Sequence, residues 1–263
     1  MRISKLLTLI DAHIHLDQYS DKDIDEIIRK YQALAGLISV STNLESSIRN
    51  QRLSQKYKKV YAAFGLHPEQ ELPSSEDLHQ LFTWIAQNKD SMVAVGEVGL
   101  PYYARKKRPY DFSLEPYVDV LERFIQLAKE WKKPIILHAV YEDAPIVCDL
   151  LERHSITKAH FHWFKGDAKT LNRMMLNGYK ISVTPDVLYE EKIQKLVIDY
   201  PLEHLMVETD GPWPFEGPFQ NQMTHPWMIE ESIKVISTLK NIPIETVYEQ
   251  LLNNTISFYS LPN

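Results

Sequence analysis

The sequence predicts an α/β chain folded as one (β/α)8 TIM barrel, a single domain over residues 1–263, on three observations. Short β-rich apolar runs alternate with longer amphipathic runs along the whole chain, eight of each, with one extra helical run at the end. At 263 residues the chain has the length at which such barrels commonly form one domain, about 250 residues. No glycine-rich phosphate loop follows the first apolar run. It carries a His-x-His pair where a dinucleotide-binding sheet would carry G-x-G-x-x-G, which disfavours the rival doubly wound open sheet.

The strands are expected over residues 7–14, 36–41, 60–66, 92–98, 134–139, 159–164, 180–183 and 205–208. A helix over 23–35 carries Ile24, Ile27, Ile28, Tyr31 and Leu34 at helical spacing. A second is expected over 44–57. A third, over 75–87, opens on the capping pattern Ser74-Ser75-Glu76-Asp77. The helix over 114–131 is the best patterned, with Tyr117, Val120, Leu121, Phe124, Ile125, Ala128 and Trp131 on one face. Helices over 144–153, 168–177, 187–199, 226–239 and 243–258 complete the alternation.

Composition narrows the function. With 35 acidic against 29 basic residues the formal net charge is -6, so the chain is not built as a general polyanion binder. Its single cysteine, Cys148, excludes an intramolecular disulfide and a cysteine-rich zinc site, and is expected as a small buried hydrophobe on a helix. Arg2 and Lys5 precede an apolar run too short for a signal-peptide core. No run approaches the ~20 apolar residues of a membrane span. A cytoplasmic protein without membrane contact is the simplest expectation.

In a parallel barrel the site lies at the C-terminal ends of the strands, so the polar residues there carry the chemistry. Strand one ends in His13 and His15, which share a face if side chains alternate. Strand three ends in His67, strand four in Glu97, strand five in His138. Strand six offers His160 and His162, which face one side, and spacing alone does not choose between them. Strand eight ends in Glu208 and Asp210. Imidazole and carboxylate suit divalent metals. Two ions need about six protein ligands, and His13, His15, Glu97, His138, His162 and Asp210 fit that count. One ion would take His13, His15, Glu97 and Asp210. The other would take Glu97, His138 and His162, with Glu97 bridging. The ions could be zinc, manganese, nickel or magnesium. Asp210, at the last strand end, is the natural general base for a metal-activated water. His67, before Pro68, is a substrate contact or a loop-ordering residue. Glu208 is a hydrogen-bond partner behind the ligands as readily as anything else. His79, His154, His204 and His225 are expected mostly to face solvent.

The set D-A-H-I-H-L-D, G-L-H-P, V-G-E-V-G-L, P-I-I-L-H, H-W-F-K-G and V-E-T-D-G-P-W resembles the TatD family of metal-dependent hydrolases, in matching order and over essentially the whole chain. The resemblance implies a barrel of the amidohydrolase type and a metal-dependent deoxyribonuclease activity. The family pattern H-C-F-[ST]-G aligns with His162-Trp163-Phe164-Lys165-Gly166, which favours His162 over His160 as ligand. The pattern also places His67 near substrate.

Three departures touch the substrate rather than the metal. Pro101 stands where the family usually has an acidic residue, Val140 where it usually has an arginine, and no arginine occurs in residues 219–226. An arginine fork gives bidentate phosphate recognition, so its loss bears on substrate chemistry. Lys165 or the basic run Arg105-Lys106-Lys107-Arg108 could compensate, although a solvated charge run is the plainer reading of the latter. The leading expectation is hydrolysis of a phosphodiester, in DNA or a small substrate. The aromatic residues Tyr102, Tyr103, Trp163, Trp213, Phe215 and Phe219 around the mouth favour an alternative, hydrolysis of a small ester, amide or lactone. A non-catalytic binding or regulatory barrel that keeps the metal site is the third.

Overall fold

The strands are arranged in sequence order. The computed structural model describes residues 7–108 and 112–262, so Arg2 and Lys5 lie outside the described residues. Eight parallel strands, β1 (Leu9–Ile14), β2 (Leu34–Ser39), β3 (Val60–Phe64), β4 (Ala94–Gly99), β5 (Ile135–His138), β6 (Ala159–Phe161), β7 (Lys180–Val183) and β8 (Leu205–Val207), follow one another around a single (β/α)8 barrel. Between them lie α1 (Asp21–Lys30), α2 (Leu44–Lys56), α3 (Ser75–Asn88), α4 (Tyr102–Lys107), α5 (Glu115–Trp131), α6 (Asp143–Arg153), α7 (Ala168–Leu176) and α8 (Glu191–Asp199). After β8 come α9 (Ile229–Lys240) and α10 (Ile244–Tyr259).

The barrel is drawn together just beyond the strand ends. Asp210 N donates to His13 O at 2.9 Å and His15 N donates to Gly211 O at 2.8 Å, joining the end of β1 to the segment after β8. The Asp11 carboxylate supports this seam by accepting from Thr209 N at 3.0 Å and Thr209 Oγ1 at 2.5 Å. The backbone that closes the barrel therefore carries His13, His15 and Asp210.

Two apolar layers hold the strands. Their outward faces pack on the helices through residues such as Leu37, Phe64, Val95, Leu137 and Phe161. Inside, Ile10, Ala12, Ile38, Val40, Ala63, Ala94, Ile136 and Met206 form a separate core with Phe258, Tyr259 and Leu261 from the end of the chain. Alternation along each strand sends successive side chains to these two layers.

Several boundaries differ from the sequence expectation. The first helix ends at Lys30 instead of residue 35 because Leu34 enters the sheet opposite Leu9. It starts at Asp21 because the Ser20 side chain caps it, accepting from Asp23 N. The sixth strand stops at Phe161, which leaves His162 beyond the paired segment. The runs opening at residues 187 and 226 are led by 3-10 turns, Pro185–Leu188 and Pro226–Met228. Helix α4 was not expected; it occupies the basic run after β4. Among the described residues no helix is long and apolar enough to cross a membrane.

Candidate metal centre

His13 and His15 share a face, as alternation requires, and meet Glu97 from β4 and Asp210 from beyond β8. His13 Nε2 lies 3.3 Å from Glu97 Oε2 and 3.3 Å from Asp210 Oδ1; His15 Nε2 lies 3.4 Å from each. Ligands held at about 2.0–2.1 Å around a tetrahedral ion stand about 3.3–3.4 Å apart. Each of the two imidazole nitrogens stands at that spacing from both carboxylate oxygens.

The other oxygen of Glu97 faces a second group. Oε1 is 2.7 Å from His162 Nε2, 3.1 Å from His138 Nδ1 and 3.5 Å from His67 Nε2. His138 Nδ1 and His162 Nε2 are 3.4 Å apart. Glu97 is fully buried between the two groups, one oxygen toward each. The structure thus brings together His13, His15, Glu97, His138, His162 and Asp210, and adds His67 to the second cluster.

Local backbone explains this convergence. Gly99 pairs with His138, and a Cβ at Gly99 would fall 1.9 Å from the His138 carbonyl oxygen, so only glycine lets β4 and β5 approach closely there. Asp210 adopts a left-handed conformation (φ 51°), which aspartate tolerates better than most residues.

The electrostatics match a cation site. Burial alone would raise the Glu97 carboxyl, yet the imidazoles of His162, His67 and His13 hold it well below the usual range. Asp210 is likewise held down against burial, by His13 and His15. Conversely, His15 is raised to about 10 although burial opposes it, because the carboxylates of Asp210 and Glu97 lie against it. Buried carboxylates here demand positive charge among them. Several polar atoms around them, His13 Nε2, Glu97 Oε2 and Asp210 Oδ1 included, have no hydrogen-bond partner. Divalent ions would satisfy both demands.

His160 does not join these ligands. Its ring nitrogens meet Tyr259 and Ser182 instead, at 2.6 Å each. Glu208 stands behind the second cluster, its Oε1 3.5 Å from His162 Nδ1. The remaining histidines correct the expectation that most face solvent. Only His79 is exposed. His154 bonds Glu122 at 2.6 Å, His204 meets Lys180 at 3.2 Å, and His225 accepts from Trp227 N at 3.1 Å.

One residue at the site was missed from sequence. Glu69 sits 3.2 Å from His138 Nε2, the ring nitrogen facing away from Glu97, and also accepts from Tyr103 N and Ala104 N at 2.8 and 2.6 Å. It ties His138 to the start of α4. Its only signal in the sequence was a carboxylate two residues after His67.

Above the clusters opens a cavity of 1100 Å³. Its floor includes His15, His67, His138, His162 and Asp210; its walls carry Tyr103, Phe112, Tyr117, Trp163, Tyr189, Trp213 and Phe215. Trp213 is 57% exposed and packs edge-on against Trp163. Tyr102 and Phe219, expected at the mouth, are not among the lining residues: Phe219 is buried in a small cluster with Phe215 and Met228, and Tyr102 packs at a tilt against Tyr141. The rim is mixed in charge, with Glu69, Glu71, Asp186, Glu190 and Glu216 against Lys107, Arg108 and Lys165. Most of the basic run is paired: Arg105 with Asp143, Lys106 with Glu142 and Arg108 with Glu71. Val140 lines the cavity, and Pro101 precedes α4.

The TatD related DNase family model matches residues 10–260. The chain belongs to the TatD family. A metal-dependent hydrolase of Haemophilus influenzae, named as uncharacterized, is 42% identical over 254 residues, covering 96% of this chain and all of that protein. The human deoxyribonuclease TATDN3 is 30% identical over 262 residues, covering 95% and 94%. The crystal structure of the TatD homolog YjjV from Escherichia coli superposes with a TM-score of 0.86 at 28% identity, covering 98% of this chain and 100% of that one. The chain is thus a metal-dependent hydrolase, and its His, Glu and Asp groups can bind metal ions.

Proposed function

We propose that this chain is a two-metal phosphodiesterase of deoxyribonuclease type that acts on a short or single-stranded substrate admitted to the aromatic-walled cavity. The observation that carries this reading is the pair of clusters sharing Glu97, one on each carboxylate oxygen, at the floor of that cavity. Its likeness to a human protein named a deoxyribonuclease supports the phosphodiester assignment. His13, His15, Glu97 and Asp210 would hold one ion; Glu97, His138 and His162, with His67 beside them, would hold the other. Two such ions supply an activated water and neutralise charge developing on a phosphoryl group.

The chain's own residues do the rest. Asp210 borders both the first cluster and the cavity, so its carboxylate can take a proton from the attacking water and return it to the leaving oxygen. Trp163, Trp213 and Phe215 offer flat apolar faces on which a base can stack. Lys107, Arg108 and Lys165 give a modest cationic contribution without an arginine fork at residue 140.

The mixed rim, with Val140 at the usual arginine position, favours one further reading: a small phosphate-free ester, amide or lactone in the same cavity. A substrate panel with metal-loaded protein separates them. Single-stranded oligonucleotides and bis(p-nitrophenyl) phosphate should be cleaved, with p-nitrophenyl acetate and simple lactones turned over far more slowly. Turnover of the esters with intact phosphodiesters would overturn the phosphodiesterase reading.

A further inference from the structure

A line of buried polar side chains crosses the otherwise apolar interior of the barrel, from the last helix to the metal centre. Tyr259, at the end of α10, places its Oη 2.6 Å from His160 Nδ1. His160 Nε2 lies 2.6 Å from Ser182 Oγ, and Ser182 Oγ donates to Glu208 Oε2 at 2.5 Å. The other Glu208 oxygen faces His162 Nδ1 at 3.5 Å. All five side chains are buried, His160 and Glu208 completely. His13 also brings a polar atom within 4.8 Å of the His162–Glu208 pair.

The hydrogens along this line can be arranged in one direction. A carboxylate at Glu208 only accepts, so Ser182 must donate to it. Ser182 has then spent its only hydrogen, so its contact with His160 requires a proton on His160 Nε2. With that tautomer His160 Nδ1 is an acceptor, and the Tyr259 hydroxyl donates to it. Burial pushes the Tyr259 phenol well above its ordinary range, which keeps that hydrogen in place. At the far end Glu208 Oε1 and His162 Nδ1 face each other at 3.5 Å and neither has another hydrogen-bond partner, so a proton on Nδ1 would serve both and leave Nε2, the atom beside Glu97, free as a ligand.

We propose that Tyr259, His160, Ser182 and Glu208 form a one-way hydrogen-bond relay that fixes the tautomer and ring orientation of His162. Through it the C-terminal helix presets the metal centre from the opposite end of the barrel. The four are positioning residues, and the inference rests on the metal-centre reading but not on the identity of the substrate. Carboxylate and hydroxyl partners behind a ligating imidazole typically change metal affinity 10- to 100-fold when removed.

The test reads metal binding directly, by Co2+ titration followed through the visible absorption bands. Tyr259→Phe and Ser182→Ala should each weaken Co2+ binding about tenfold and alter those bands. Tyr200→Phe is the control: it removes a buried hydroxyl that donates to the Tyr179 carbonyl, outside the relay, and should leave the titration unchanged. Folded Tyr259→Phe and Ser182→Ala proteins with wild-type affinity and bands would overturn the relay while leaving the metal centre standing. A wild-type protein that takes up no Co2+ would overturn both. Should the variants not fold, 1H–15N correlation of the wild-type imidazoles decides the matter: His160 protonated on Nε2 supports the relay, and protonation on Nδ1 overturns it.

Discussion

At the scale of single residues, the centre is organised by carboxylates, each with a different task. Glu97 is shared between two imidazole groups, Asp210 faces both a cluster and the cavity, and Glu69 steadies His138 from behind. Asp210→Asn keeps an oxygen near the first cluster but removes the proposed base, so turnover should fall roughly 10²–10⁴-fold while metal stays bound. Steady-state kinetics alongside metal analysis checks this, and near-native rates would remove Asp210 from the proton-transfer role. Glu69→Ala should leave His138 Nε2 and two backbone N–H groups without their acceptor. Zn2+ affinity should then fall about 10-fold, as read by calorimetric titration. Cys148 has no part in this chemistry. It is fully buried and its thiol is pushed up to about 12 by burial, so a thiol reagent should label it only after unfolding.

At the scale of elements, the candidate metal ligands were readable because each lies at the end of an apolar run and the barrel directs all those ends to one face. The short helix α4 was not readable. Its sequence, Tyr102 to Lys107, has basic and aromatic residues but no apolar stripe; its helical form rests on contacts from elsewhere. Glu69 accepts from its first turn, and Arg105 reaches Asp143 at the start of α6. Asp143 is fully buried, so Arg105→Ala strands a buried carboxylate and should cost about 3 kcal/mol of stability, measured by urea unfolding. The overlong first helix has a related cause. Tyr31 and Leu34 continue the helical spacing by coincidence, and pairing of Leu34 with Leu9 overrides it.

At the scale of the molecule, site and barrel closure are the same construction. Backbone bonds from Asp210 to His13 and from His15 to Gly211 seal β1 to the end of β8 with residues of the first cluster. Metal that binds only the native state should therefore stabilise the whole fold. At about 100 times its dissociation constant it contributes roughly 2.7 kcal/mol, and chelation should lower Tm by about 5–10 °C in calorimetry. An unchanged Tm would mean that the clusters do not hold metal in the native protein.

The sequence by itself determined the barrel and the family, and it supplied the six candidate ligands that the fold brings together. These rest on local signals: the alternation of apolar runs, and His, Glu and Asp types at fixed places within short motifs. The tertiary structure decided what depends on which side chains meet across the barrel. It brought His67 to Glu97 and set Glu69 against His138 over a separation of 69 residues. It also turned His160 inward, where Ser182 and Tyr259 hold it and the His162 backbone lies beyond the paired strand. Spacing in the chain left those two histidines equivalent; burial and the demand that every interior polar group find a partner set His162 beside Glu97 and His160 against Ser182 and Tyr259.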